Sequence, residues 1–279
     1  MQYAFFGAAA LCALVAFAVL VLIIGALLFR GLPAVNWSFL TEHIALVGAA
    51  GGVFYNLVGT VILVFTSLVV CIPVALGLAL LCACYWRDNK WHGRSLVILQ
   101  LLNGVPSILF GIFGFIVFVK WLGWGKSWAV GGILLGLLIL PTVTVTLIDR
   151  IKAVPQKYID AANGLGLRKS QIIWSVIVPQ SLTGLVTGAL LGMARAAGET
   201  APIMYTATIF AGATFPAGLR DSPVLSLPYH IFILAQDSFD PGAMEKLWGA
   251  ALVLVVLVLV LSSLTLPLRM RIRNTHQSQ

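Results

Sequence analysis

Arg195 and Glu199 stand four residues apart in a run, from about Gly184 to Gly212, that is otherwise apolar. On a helix this spacing places a cation and an anion one turn apart, where they neutralise each other. A guanidinium also suits oxyanions, because its planar fork gives two parallel hydrogen bonds. Two chemistries are therefore open. The pair is either a structural ion pair that pins helices together, or a site where Arg195 meets a substrate anion and Glu199 holds it oriented between passages. Asn103, Ser107 and Thr200 are the neutral side chains of the right type to help such an anion. Gly188, Gly192, Arg195 and Glu199 are spaced four, three and four apart, along one helical seam. Gly184, Gly188, Gly192 and Ala196 add a ladder of small residues that lets a second helix approach closely. Pro202 takes away the donor for the Gly198 carbonyl and is expected to bend the helix beside Glu199.

The surroundings decide what such a pair costs. Only 9% of residues are charged and 60% are hydrophobic, with a mean hydropathy of +1.03, whereas a soluble domain has about a quarter of its residues charged. The composition indicates a polytopic membrane protein. An arginine in the middle of a span costs about 2.5–3.5 kcal/mol on insertion scales, so such residues face a partner or a wet cavity. The net charge of +8 reflects loop orientation and anionic lipid. No basic patch interleaved with aromatics points to nucleic acid. Cys12, Cys71, Cys82 and Cys84 lie in apolar runs without metal-ligand spacing and read as packing residues. His43, His92, His230 and His276 are far apart, with no metal or triad pattern, so an integral-membrane enzyme has little support.

Six spans account for the apolar runs. Ala4–Phe29 is long enough to cross about 30 Å of hydrocarbon. It lacks the basic start and short core of a signal peptide, so it is expected to be retained. The second span, Leu57–Tyr85, should bend near Pro73. The third, about Leu96–Val119, contains Asn103-Gly104-Val105-Pro106-Ser107, and Pro106 is expected to bend it. That bend is either a packed kink or non-helical backbone facing a wet cavity. Trp128–Ile148, Ser181 to about Gly212, and Leu247–Leu268 complete the set, and Leu227–Ala235 could lie as a short amphipathic helix on the membrane surface. Eleven Lys and Arg fall on the side holding Arg87, Lys90 and Arg94, the segment 149–180 and the C-terminal arginines Arg269, Arg271 and Arg273. Five fall on the other side. Both termini are therefore expected in the cytoplasm.

The longest polar segment, 149–180, reads as two short helices. Pro155 suits a helix start, Tyr158–Leu165 gives about two turns, and Gly166 can take positive φ and turn the chain. Ala161 and Ala162 leave room for another surface, and a linker lying on lipid headgroups is the plainer alternative. Gly164-Leu-Gly166-Leu-Arg168-Lys169-Ser170 suggests a phosphate loop but has Arg168 where a Walker A motif needs Gly, so ATP-driven work would need a partner chain.

Asp160-Ala161-Ala162, then Gly166 and Val176-Ile177-Val178-Pro179, resembles the EAA loop of ABC-importer permeases, with Asp160, Val176 and Val178 standing where that pattern has Glu, Ile and Leu. Gly104-Val105-Pro106-Ser107-Ile108 and Arg195-Ala-Ala-Gly198-Glu199-Thr200-Ala201-Pro202 are similar to blocks in phosphate-importer permeases, of the PstA type. The resemblance implies an all-α polytopic fold of six transmembrane helices, the type I (MetI-like) ABC-importer permease fold. Residues 1–50 would hold the first helix and an outer segment, and 51–279 the permease domain with a coupling loop at 149–180. It implies that Asp160, Ala161, Ala162 and Gly166 dock on a separate ATPase. Other implied partners are a homologous second permease, two ATPase subunits carrying the ATP and Mg, an outer-side phosphate-binding protein and phosphate. The implied location is the bacterial inner membrane, and this chain would hold no cofactor or metal and bind no nucleic acid. Two rivals remain open: the same architecture serving sulfate, molybdate or phosphonate, and an ion-driven carrier or channel without an ATPase.

Overall fold

The computed structural model describes residues 2–45, 50–86, 89–212, 215–236 and 240–277, with side chains described at 5–45, 51–86, 89–91, 93–212, 215–236 and 240–264. Arg87 and the side chains of His92, Arg269, Arg271, Arg273 and His276 lie outside the described residues.

The chain starts with α1 (Gln2–Gly31), a 3-10 turn (Leu32–Ala34) and α2 (Trp37–Thr41), whose first turn is capped by the Asn36 side chain accepting from the Phe39 N–H at 2.8 Å. A two-stranded antiparallel ribbon follows, β1 (Ile44–Ala45) on β2 (Ala50–Gly51), pairing Ile44 with Gly51. Then come α3 (Phe54–Leu80), α4 (Lys90–Gly104), α5 (Ser107–Gly114) and α6 (Trp128–Lys152). The polar segment holds α7 (Gln156–Gly164) and α8 (Lys169–Ile172), and leads through a wide π turn (Ile173–Ile177) into α9 (Val178–Gly198). The rest is α10 (Ala201–Thr206), α11 (Leu227–Gln236) and α12 (Pro241–Gln277).

Among the described residues, five stretches are long and apolar enough to cross a membrane, and α4 with the α5 stretch counts as a sixth when taken as one broken span. The central helix is α6, 72% of whose most apolar window is buried, against 0% for α1. Small residues make that possible. At Gly131 and Gly132 a Cβ would collide with Ala207 and with Thr66 of α3, and at Gly136 it would press on the Ser67 carbonyl. The expected ladder on α9 packs on α6 further along the helix, Gly188 against Val143 and Gly192 against Val143 and Ile139.

Pro73 lies inside α3, and the chain leaves regular helix later, in a wide turn at Leu81–Tyr85. Two expectations need correction. The third span is not bent but broken, with α4 and the Ser107–Trp121 stretch meeting at 89°. Val105 precedes a proline, which disfavours helical backbone, and it takes φ −69°, ψ 128°, with Pro106 extended beside it. The fifth span likewise ends at Gly198. Glu199 is extended (φ −79°, ψ 127°), and Pro202 sits in the first turn of α10, where its missing N–H goes unnoticed.

The helix expected on the membrane surface, α11, is packed instead. Leu227, His230 and Leu234 are buried on one face, and Leu227 joins a cluster with Phe39, Val53, Ala250 and Val253. Polar bonds to α3 hold it there. The Leu227 N–H donates to Thr60 Oγ1 at 2.9 Å, and Asn56 Nδ2 donates to the Ser226 carbonyl at 3.4 Å.

Candidate functional site

Arg195 sits in the last turn of α9 and Glu199 just beyond its end, so the two no longer share a helix face. They still meet, with Arg195 Nε 3.6 Å from Glu199 Oε1. The side chains are 31% and 18% exposed, a half-buried pair. Arg195 Nη1 donates to Asn103 Oδ1 at 2.6 Å and, more weakly, to Thr142 Oγ1 at 3.4 Å. Thr142 Oγ1 in turn lies 3.5 Å from Asn103 Oδ1. Nη2 has no acceptor among the described residues. The guanidinium is thus positioned from four places, the end of α4, the middle of α6, the end of α9 and the α9–α10 link, and keeps donor capacity in reserve.

Of the residues proposed from sequence, Asn103 is brought to Arg195 from 92 positions away. Ser107 and Thr200 are not joined to the cluster by any hydrogen bond among the described residues. Ser107 begins α5 and Thr200 precedes α10, each on the far side of its chain break. Thr142 was missed. Its signal was present, a hydroxyl after Pro141 within an apolar span, but Thr144 and Thr146 carry the same signal.

The two breaks face each other. The α5 and α10 half-helices pack together at Gly111, where a Cβ would lie 2.6 Å from the Ala201 carbonyl and 3.0 Å from Pro202 Cα. The far end of α10 is tied down by Lys126, whose Nζ donates to the Met204 and Thr208 carbonyls at 3.1 and 3.2 Å. Burial lowers the Lys126 pKa from its usual range.

The polar segment forms a second cluster. Gly166 has φ +74°, and no atom lies within 4 Å of its Cβ position, so glycine is required there by backbone conformation rather than by space. Asp160 is exposed and accepts from Gln156 Nε2 at 3.0 Å. Ala161 is exposed, but Ala162 is only 4% exposed and packs in the core cluster that includes Ile172, Ile173 and Ile177. Ala162 therefore seats α7 on its own protein and offers nothing to an outside surface. The outward face consists of Tyr158, Ala161 and Leu165, the last 81% exposed.

Residues 75–274 match the family of binding-protein-dependent transport system inner membrane components. The chain belongs to that family. It is similar to the phosphate transport system permease protein PstA 2 of Mycobacterium bovis, with 30% identity over 227 residues, covering 81% of this chain and 73% of the relative. It is also similar to a probable phosphate transport system permease protein PstA of Methanocaldococcus jannaschii, 32% identical over 232 residues, covering 81% and 78%. Among solved structures, the MetNI methionine ABC transporter in an inward-facing form superposes with a TM-score of 0.62 at 14% identity, covering 78% of this chain and 94% of that one. The fold is thus the all-α permease fold of ABC importers, and the protein is a transporter's membrane component rather than an enzyme.

Proposed function

We propose that this chain is a permease subunit of an ATP-driven phosphate importer, forming half of the path and pairing with a homologous second permease. The observation that carries the reading is a half-buried arginine with one donor nitrogen on neutral acceptors, one facing a carboxylate and one uncommitted. That arrangement suits a tetrahedral oxyanion that must bind and leave. The PstA relatives support phosphate as that anion. On this reading two ATPase subunits, which carry the ATP and Mg, engage the Tyr158–Ala161–Leu165 face beside Asp160 and the Gly166 turn. A phosphate-binding protein delivers from the other side of the bacterial inner membrane. The segment 149–180 and both termini are cytoplasmic, as the distribution of Lys and Arg favours.

The test is phosphate uptake by cells that lack their own permease. Arg195→Gln should abolish ATP-dependent uptake while assembly with the ATPase persists, and excess sulfate, molybdate or phosphonate should not compete. Full uptake by Arg195→Gln would remove Arg195 from the path. Gradient-driven transport by liposomes holding this chain alone would overturn the ATP-driven assignment.

A further inference from the structure

The face of α4 that ends in Asn103 continues toward the helix start as Gln100, Leu99 and Leu96, the spacing of one helical stripe. Opposite it, α6 presents Thr142, Val145, Thr146, Asp149 and Lys152. Between the two stripes is a cavity of about 410 Å³. Its end walls differ in chemistry. One end is made by Asn103 and Thr142, the two residues that hold Arg195 Nη1. The other end is Lys152, which also lines a second cavity of about 540 Å³ beneath α7, together with Lys169, Gln156 and Asn163. From Thr142 to Lys152 is about 15 Å at 1.5 Å per residue.

We propose that the cavity between α4 and α6 is an inner waiting site for the oxyanion, entered from Arg195 by displacing the Asn103 side chain and left past Lys152. This rests on the reading of Arg195 as the anion contact. Several observations carry it beyond that reading. Asn103 is exposed and neutral, and its carbonyl oxygen occupies a donor that a charged oxyanion would take in its place. The lining then supplies the Gln100 amide, the Thr142 hydroxyl and the Lys152 ammonium, with apolar Leu96, Leu99 and Val145 between them. At about 30 Å³ per water, the volume holds roughly a dozen waters, enough for a tetrahedral anion that keeps part of its hydration. Asp149 beside Lys152 opposes tight binding of an anion, as a transit site requires, since a path must be favourable to enter and easy to leave.

The test uses the assembled transporter with its native cysteines replaced. Single cysteines are placed at Gln100 and Thr146, with Ser170→Cys on the exposed surface of α8 as the control. Each is reacted from the cytoplasmic side with a negatively charged thiol reagent, with and without millimolar inorganic phosphate. Phosphate should slow the reaction several-fold at the first two positions and leave Ser170→Cys unchanged. Equal rates with and without phosphate at Gln100→Cys and Thr146→Cys, or equal protection at all three, would overturn the proposal. Lys152→Gln should reduce the uptake rate several-fold with ATPase assembly intact, and unchanged uptake counts against the exit past Lys152. The two readings fail separately: if Arg195→Gln transports normally the anion contact is wrong, whereas loss of uptake in Arg195→Gln without cavity protection removes only the waiting site.

Discussion

Ala161 and Ala162 are adjacent in sequence and about 100° apart around α7, and the structure assigns them opposite duties. Replacing Ala162 with Leu adds three carbons to a position that is 4% exposed and packed with Ile172, Ile173 and Ile177. Overpacking of this kind costs about 1–3 kcal/mol. At about 2–4 °C per kcal/mol for a chain of this size, Ala162→Leu should lower the Tm by roughly 2–12 °C. Ala161→Leu changes an exposed position, where substitutions stay within about 0.5 kcal/mol, so its Tm should move by less than about 2 °C. On the docking proposal it should nonetheless weaken ATPase association, because the added side chain stands on the outward face. The assay is thermal unfolding of the purified chain in detergent, together with co-purification of the ATPase. If Ala161→Leu destabilises and Ala162→Leu does not, α7 is seated the other way round. If Ala161→Leu is stable and still carries the ATPase through purification, this face is not the docking surface.

Gly111→Val should push α5 and α10 apart, because the new Cβ meets backbone atoms of Ala201 and Pro202 that cannot rotate away; a loss of about 1–3 kcal/mol in thermal stability and a loss of uptake with Arg195 intact are expected. Lys126→Gln removes the ammonium that holds the Met204 and Thr208 carbonyls, and hydrogen exchange in 203–208 should become faster. His230 is buried and held neutral, its pKa lowered to about 4 by burial, against 6.5 when unfolded. The unfolded chain therefore binds more protons between those values, so stability is complete above about pH 6.5 and falls as pH drops toward 4. Denaturation curves should lose up to about 3 kcal/mol across that window, and His230→Phe should flatten the loss.

How much of this could be read from the sequence depends on whether the cause was local. The spans that run straight needed only length and hydropathy, and Gly166 announced its turn because only glycine takes φ +74° without strain. Pro106 and Pro202 located the interruptions correctly but not their size. A proline removes one donor; whether the chain kinks or breaks by 89° depends on what stabilises each half afterwards. Here each half-helix is stabilised by the other, through Gly111 and Ala201, residues 90 positions apart. The same holds for Thr142. Three threonines alternate at 142, 144 and 146, and only the rotation of α6 against α4 and α9 makes one of them a partner of Arg195, while Thr144 is buried with its hydroxyl unpaired among the described residues. Ala162 was misassigned because a small residue signals close approach without saying from which side. The α11 helix was misplaced because its anchors, Asn56 and Thr60, lie about 170 residues earlier in the chain.

The candidate site and the proposed docking face are joined by one continuous helical stretch of chain. The cluster beneath α7 contains Ile172, Ile173 and Ile177, and the chain passes from these residues without interruption into α9, which runs straight to Arg195. From Val178 to Arg195 is about 25 Å of helix, held to α6 where Gly188 and Gly192 let Val143 and Ile139 pack close to its backbone. A helix so closely packed does not stretch, so a displacement applied at α7 can only slide or tilt it against α6. The regular backbone ends where that motion would arrive, at Gly198–Glu199, immediately after the guanidinium. Asn103 belongs to the neighbouring broken span, and Thr142 to the central helix that both breaks face. Tilting α9 therefore changes the distances from Arg195 to Asn103 and Thr142 while Glu199, on its own extended link, can follow the arginine. The contact the movement would open first is the neutral one, which is the contact an oxyanion needs.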